Sequence, residues 1–139
     1  MKTRVILDTN WYISGTINKN SRKLLYQLIT NKELEIYYSR ELLYEYKDVI
    51  TRQKFKKHIT WNQARRFIKL VIPLLSEINI TTKTELSRDK KDNFLLSMAI
   101  DAKADYLVSG DPDLLVIKSI GKTKIINMRE FKSLISRNH

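Results

Sequence analysis

Apolar residues recur along this chain in two rhythms, one of short continuous runs and one of helical spacing. The run "RVIL" at 4–7 is rich in branched side chains and stops at "DTN". It predicts a strand buried on both faces, followed by a turn. In "SRKLLYQLITN" at 21–31, Leu24, Leu25, Leu28 and Ile29 fall on one helical stripe, with Ser21 as the predicted N-cap. "LEIYY" at 34–38 predicts a second strand. "SRELLYEYKDVI" at 39–50 follows as a helix capped by Ser39, with Leu42, Leu43, Tyr46, Val49 and Ile50 on its apolar side. "TWNQ" at 60–63 matches a capping box and opens a helix running to about Pro73.

"SEINI" at 76–80 predicts a third strand. Asp89 is the predicted N-cap of the next helix, with Asp92 at its third position and Phe94, Leu95, Met98, Ala99 and Ala102 turned inward. "DYLVSG" at 105–110 and "KIIN" at 124–127 predict two more strands, and "MREFKSLISRN" at 128–138 a final helix. Strands alternate with helices, without a long linker or a repeat. That order predicts one α/β domain over residues 1–139, a three-layer α/β/α arrangement around a mostly parallel sheet.

Composition narrows the chemistry. The hydrophobic content of 42% supports a packed core rather than disorder. No cysteine is present, so disulfides and thiolate metal sites are excluded, and any metal must be held mainly by oxygen. The apolar run before Asp8 is too short for a signal peptide, and no stretch approaches the roughly 20 residues of a membrane span. The expectation is a cytoplasmic protein without a membrane partner. Lys and Arg total 26 against 15 Asp and Glu, a net charge of +11. A surplus that large points to a polyanionic partner, most commonly nucleic acid.

Against this basic background the acids are oddly placed. In an open parallel sheet, ligands bind beyond the carboxyl ends of the strands, where strand order reverses. Asp8 directly follows the first strand and Asp111 the "YLVSG" strand, so both reach one edge when those strands are neighbours. The helix opened at Asp89 starts near the same edge and adds Asp89 and Asp92. Crowded carboxylates repel one another unless a proton or a cation joins them. Mg²⁺ and Mn²⁺ take such oxygen donors, and a metal so held activates water and stabilises a phosphodiester transition state. Singly, each acid has an ordinary use as well. Asp8 can start an Asx-turn, Asp89 can cap, Asp92 can complement the helix dipole, and Asp111 and Asp113 flank Pro112 in good turn chemistry. Glu41, Glu45 and Asp48 share one helical face, and spacing does not choose between Glu41 and Glu45.

Four segments taken in order, "VILDTNWYISG", "SRELLYEYKDVI", "DKKDNFLLSMAIDAKADYLVSGDPDLL" and "KIINMREF", resemble the PIN-domain ribonucleases. The likeness is greatest to VapC-type toxin components of bacterial and archaeal toxin–antitoxin pairs, and it spans nearly the whole chain. It implies that Asp8, Glu45, Asp92 and Asp111 are the catalytic, metal-binding acids, Glu45 rather than Glu41. It implies supporting roles for Asn10, Ser109 and Asp113; the family more often has Thr where Ser109 stands. It further implies Mg²⁺- or Mn²⁺-dependent hydrolysis of single-stranded or structured RNA, frequent homodimers and an antitoxin that blocks the site.

Residues 47–69 hold eight cations, among them Arg52, Lys54, Lys56, Lys57, Arg65 and Arg66, against the single acid Asp48. Phe55, Trp61 and Phe67 are interleaved. The cations suit RNA phosphates and the aromatics suit either base stacking or the core. His58 and His139 show no ligand pattern. Four other readings compete with this one. A non-catalytic RNA-binding module or a housekeeping RNA-processing nuclease would keep the same fold. A phosphatase would want a second Asp where Asn10 stands, and a receiver domain an acceptor Asp where Ser39 stands.

Overall fold

The computed structural model describes residues 1–87 and 90–137. Asp89, with its expected cap, lies outside them. Six strands form the central sheet: β1 (Thr3–Leu7), β2 (Leu34–Tyr38), β3 (Ser76–Glu77), β4 (Tyr106–Val108), β5 (Ser119–Ile120) and β6 (Thr123–Ile126). Their spatial order is β3-β2-β1-β4-β6-β5, parallel except for the β5–β6 pair. The order reverses between β1 and β4. Right-handed crossovers on either side of that point lead to opposite faces of the sheet, so helices flank it. The expected mostly parallel α/β domain is therefore what forms.

Eight helices complete the described chain: α1 (Thr9–Ile17), α2 (Lys19–Ile29), α3 (Arg40–Ile50), α4 (Gln53–Lys56), α5 (Trp61–Val71), α6 (Asn93–Asp101), α7 (Pro112–Leu115) and α8 (Met128–Arg137). The first corrects the turn expected after Asp8. Thr9, Tyr12, Ile13, Gly15 and Thr16 are all buried, so α1 is covered nearly all round and shows no amphipathic stripe. Asp8 does start the turn chemistry foreseen for it, because its carboxylate accepts the Asn10 N–H and caps α1. The α2 helix starts two residues before Ser21, because Asn18 accepts from the Asn20 and Ser21 N–H groups at 2.8 and 3.1 Å.

Ser39 caps α3 and Thr60 closes a full capping box with Gln63 on α5, both as expected. The strand expected at 76–80 pairs only over Ser76–Glu77, although Ile78 still donates to the Tyr38 carbonyl. Asp92 sits in a 3-10 turn, Lys90–Asp92, at the mouth of α6, and its side chain makes no capping hydrogen bond. Its expected place inside the first helical turn is thus replaced by one at the rim. The "GDPD" turn tightens into α7, capped by Asp111. No helix among the described residues is long and apolar enough to cross a membrane.

The core gathers β1, β4 and the inner faces of α3, α5 and α6; Val5, Ile6, Leu7, Leu95, Leu107 and Val108 are fully buried. Irregular chain after β3 is tied to it by Asp101 at the end of α6. That carboxylate accepts the Thr81 and Thr82 N–H groups at 2.7 and 3.1 Å, and both hydroxyls. Burial opposes its ionisation, but the four hydrogen bonds outweigh burial and hold its pKa below the usual 3.8. A lowered folded value stabilises the fold above the unfolded pKa, and the gain is lost as pH falls through the folded one. Asp101→Ala should cost on the order of 1 kcal/mol in denaturant unfolding. It should also speed hydrogen exchange at Thr81 and Thr82, and it should abolish that part of the acid dependence.

Candidate active site

The register of two strands builds the first half of the site. Leu7 pairs with Val108 across β1 and β4. The next residues, Asp8 and Ser109, therefore emerge side by side at the carboxyl edge, where strand order reverses. Ser109 Oγ donates to Asp8 Oδ2 at 2.6 Å, and the Asn10 backbone N–H donates to Oδ1 at 3.1 Å. Ser109 Oγ also accepts the Asp111 N–H at 3.0 Å, so one hydroxyl ties both strand ends together. Asp111 in turn accepts the Asp113 N–H at 2.9 Å. Asp8 is only 4% exposed. Burial raises its pKa; the Ser109 and Asn10 hydrogen bonds oppose the rise, and the charge of Asp111 adds to it.

The second half lies between helices. Asn10 on α1, Glu45 on α3 and Asp92 before α6 line one cleft of about 590 Å³. Glu45 is half-buried and Asp92 is 9% exposed, whereas Glu41 and Asp48 stand exposed at the lip. The three helices are locked to each other beneath this cleft. Thr16 Oγ1 on α1 and the Tyr46 hydroxyl on α3 share a 2.6 Å hydrogen bond, and Thr16 also donates to the Tyr12 carbonyl. Ser39 Oγ accepts the Leu42 N–H and donates to Met98 Sδ on α6 at 3.2 Å. Glu45 is thereby held against α1 and α6 by its neighbour Tyr46 and by the cap of its own helix.

The structure sorts the four expected acids into two pairs. Asp8 and Asp111 interact through their charges at the sheet edge, off the cleft wall; Glu45 and Asp92 face the cleft. Asn10 joins the pairs, since its backbone holds Asp8 while its residue lines the cleft. Among the described residues no three acidic or histidine side chains close into a ready-made cation cage. The donor set nevertheless fits a hard divalent ion. It consists only of oxygens, it includes a carboxylate whose ionisation is opposed by burial and by the charge of Asp111, and Mg²⁺ needs only one or two carboxylates while keeping its waters.

The basic residues divide. Arg52 and Lys54 reach the cleft wall. Lys56 and Lys57 are exposed but off it, and Arg65 and Arg66 line a separate hollow on α5 with Asn62 and Lys69. Of the interleaved aromatics only Phe55 lines the cleft. Trp61 is half-buried under Lys47, whose ammonium stands 5.1 Å from its ring, and Phe67 packs near Gly15. Sequence reasoning missed Lys91, Tyr44 and Phe94 on the cleft. Lys91 adjoins Asp92 and was findable from that; Phe94 was expected inward, but α6 starts later than foreseen and leaves it half-buried on the wall.

Comparison with known proteins places this architecture. The model of the PIN domain matches residues 4–113, a span that contains every acid described above. The uncharacterised protein MJ1680 of Methanocaldococcus jannaschii is 30% identical over 132 residues, covering 91% of this chain and 83% of that protein. VapBC2 from Rickettsia felis, solved bound to a DNA fragment from its promoter, has a TM-score of 0.59 at 19% identity, over 90% of this chain and 98% of that one. PAE2754 from Pyrobaculum aerophilum has a TM-score of 0.62 at 17% identity, over 98% and 90%. At such identities these two structures speak for the fold alone. PIN domains are nucleases that generally use divalent metal ions. A family match that begins in β1 and ends just past the α7 cap, on a sheet of this order, means that the chain belongs to the PIN-domain family.

Proposed function

We propose that this chain is a divalent-cation-dependent endoribonuclease and the toxin of a toxin–antitoxin pair. The observation that supports the reading is a buried Asp8, coupled by charge to Asp111 and held by the Asn10 backbone, while Asn10 shares a cleft with Glu45 and Asp92, in a molecule charged +11. These four would hold Mg²⁺ or Mn²⁺, directly or through water. When bound, the ion supplies an activated water and countercharge for the phosphodiester transition state.

The chain's own groups do the positioning. Ser109 and the Asn10 N–H fix both oxygens of Asp8, and the Asp113 N–H fixes Asp111. Arg52 and Lys54 on the cleft, with Lys56, Lys57, Arg65 and Arg66 outside it, attract the phosphate backbone. Substrate attraction and metal binding require opposite charge, and both are present here: Arg52, Lys54 and Lys91 share the cleft with Glu45 and Asp92, while Asp8 lies buried at the sheet edge. The toxin role, an antitoxin partner and a homodimer rest on the sequence resemblance and on the toxin–antitoxin character of the Rickettsia felis neighbour. A cytoplasmic setting suits a chain without cysteine.

With Mn²⁺ or Mg²⁺ the protein should cleave RNA, and EDTA should stop it. Asp8→Asn, Glu45→Gln and Asp92→Asn should each lower the rate by more than about 100-fold, the scale on which loss of one transition-state electrostatic partner is felt. Gel assays alongside circular dichroism check this; cleavage that survives EDTA or Asp8→Asn ends the reading.

A thermal melt tests the metal separately. A raised carboxyl pKa means that ionised Asp8 destabilises the metal-free fold near neutral pH, with relief as pH falls through the raised value toward 3.8. Asp8→Asn should therefore melt in EDTA at a temperature equal to or above that of the unaltered chain. Mg²⁺ or Mn²⁺ should raise the melting temperature of the unaltered chain and not that of the variant.

A further inference from the structure

Helix α5 turns to solvent a face that the acidic cleft does not use. Its buried residues, Ala64, Ile68 and Val71, hold it to the core. Asn62, Arg65, Arg66 and Lys69 recur at i, i+3, i+4 and i+7 and so share one face. All four are exposed and line one hollow. None of the three cations has an ion pair or a side-chain hydrogen bond among the described residues. Residues 49–76 hold seven Lys and Arg and no acid. Like charges a turn apart destabilise a helix, and no acid in this hollow offsets that. The groove beside it, between α3 and α5, has Arg40 and Lys47 as its charged residues, and Tyr44 lines both that groove and the acidic cleft. The described lining of the cleft itself includes no residue of α5.

We propose that this face of α5 is a second RNA site, separate from the cleft, at which Arg65, Arg66, Lys69 and the Asn62 amide grip backbone phosphates outside the scissile segment. It rests on the ribonuclease reading above only for the identity of the polyanion. The chemistry of the lining decides what the face can read. Guanidinium, ammonium and amide groups all donate to phosphate oxygens. The hollow has no aromatic or apolar side chain, so it offers a base no platform and a protein partner no apolar contact. Phosphate contacts carry no sequence information. This face therefore holds single strand and duplex alike, and it adds length of RNA, not sequence, to what the protein binds. A second copy of the chain, itself charged +11, is repelled from it. RNA leaving the cleft past Tyr44 meets only the charges of Arg40 and Lys47 in the groove before it reaches α5.

The test needs no cleavage. A fluorescent oligoribonucleotide of mixed sequence, as single strand and as duplex, is titrated in EDTA at several salt concentrations. The full chain is compared with a triple variant, Arg65→Gln, Arg66→Gln and Lys69→Gln. A control of equal charge carries Lys19→Gln, Lys23→Gln and Lys32→Gln, exposed positions that line neither cleft, groove nor hollow. Gln is a good helix former, and a thermal melt reports folding. The α5 variant should bind both RNAs at least ~10-fold more weakly at about 50 mM salt, and its slope of log K against log salt on the single strand should fall by about 2, three contacts at ~0.7 each. The control should keep most of the affinity and of the slope. No RNA binding by the unaltered chain, unchanged binding and slope in the α5 variant, an equal loss in the control, or a loss on only one of the two RNAs would each overturn the proposal. Labelled polyglutamate and tripolyphosphate are titrated in the same way. A larger loss on either than on RNA would also overturn it, assigning the face to an acidic protein or to a free phosphate compound. Failure to hydrolyse RNA with Mn²⁺ is a different result and bears only on the ribonuclease reading.

Discussion

The pairing of Leu7 with Val108 is the constraint on which the site depends. Both strands are short and fully buried at their carboxyl ends, so the register is pinned by packing on two faces. A slip of one residue would turn every side chain of a strand to the opposite face of the sheet. Held in place, the register sets Asp8 and Ser109 at hydrogen-bonding distance, and Ser109 passes that order on to the Asp111 backbone. Burying Asp8 opposes its ionisation. A hydroxyl-to-carboxylate hydrogen bond of 2.6 Å and a helix-capping N–H offset part of that cost, as charge-assisted contacts do. A carboxylate kept in such a place at the switch point of the sheet is a local strain, and function is the usual reason for one.

The remaining acids are positioned by helix packing rather than by strands. Glu45 depends on α3, whose orientation is fixed at one end by the Ser39–Met98 contact and in the middle by the Thr16–Tyr46 hydrogen bond. Both contacts are buried, where a lost partner costs more than at the surface. The helix that carries Glu45 thus has little freedom to swing away from the one that carries Asn10. Asp92 depends on the late start of α6. A 3-10 turn, Lys90–Asp92, holds it at the rim of the cleft.

Charge is less cleanly divided. The cations of 47–69 are exposed, and the ion pair of Arg52 with Asp48 at 3.2 Å is a solvent-exposed pair of small energetic weight. Such a surface draws in a polyanion over a distance set by ionic strength. In the cleft both signs meet: Arg52, Lys54 and Lys91 line it together with Glu45 of α3 and Asp92 before α6.

The sequence by itself determined the α/β alternation, the strands at 4–7 and 34–38, the Ser39 and Thr60 caps and the excess of positive charge, because each is written in neighbouring residues. Resemblance to a family selected Glu45 over Glu41, which spacing alone had left open. The tertiary structure decided what depends on residues far apart. It made α1 a helix where a turn was expected, since burial on all sides erased its amphipathic pattern. It sorted three similar aromatics, sending Trp61 and Phe67 to packing sites and Phe55 to the cleft. It also set the acids as two pairs instead of one cluster, because strand register governs one pair and helix packing the other.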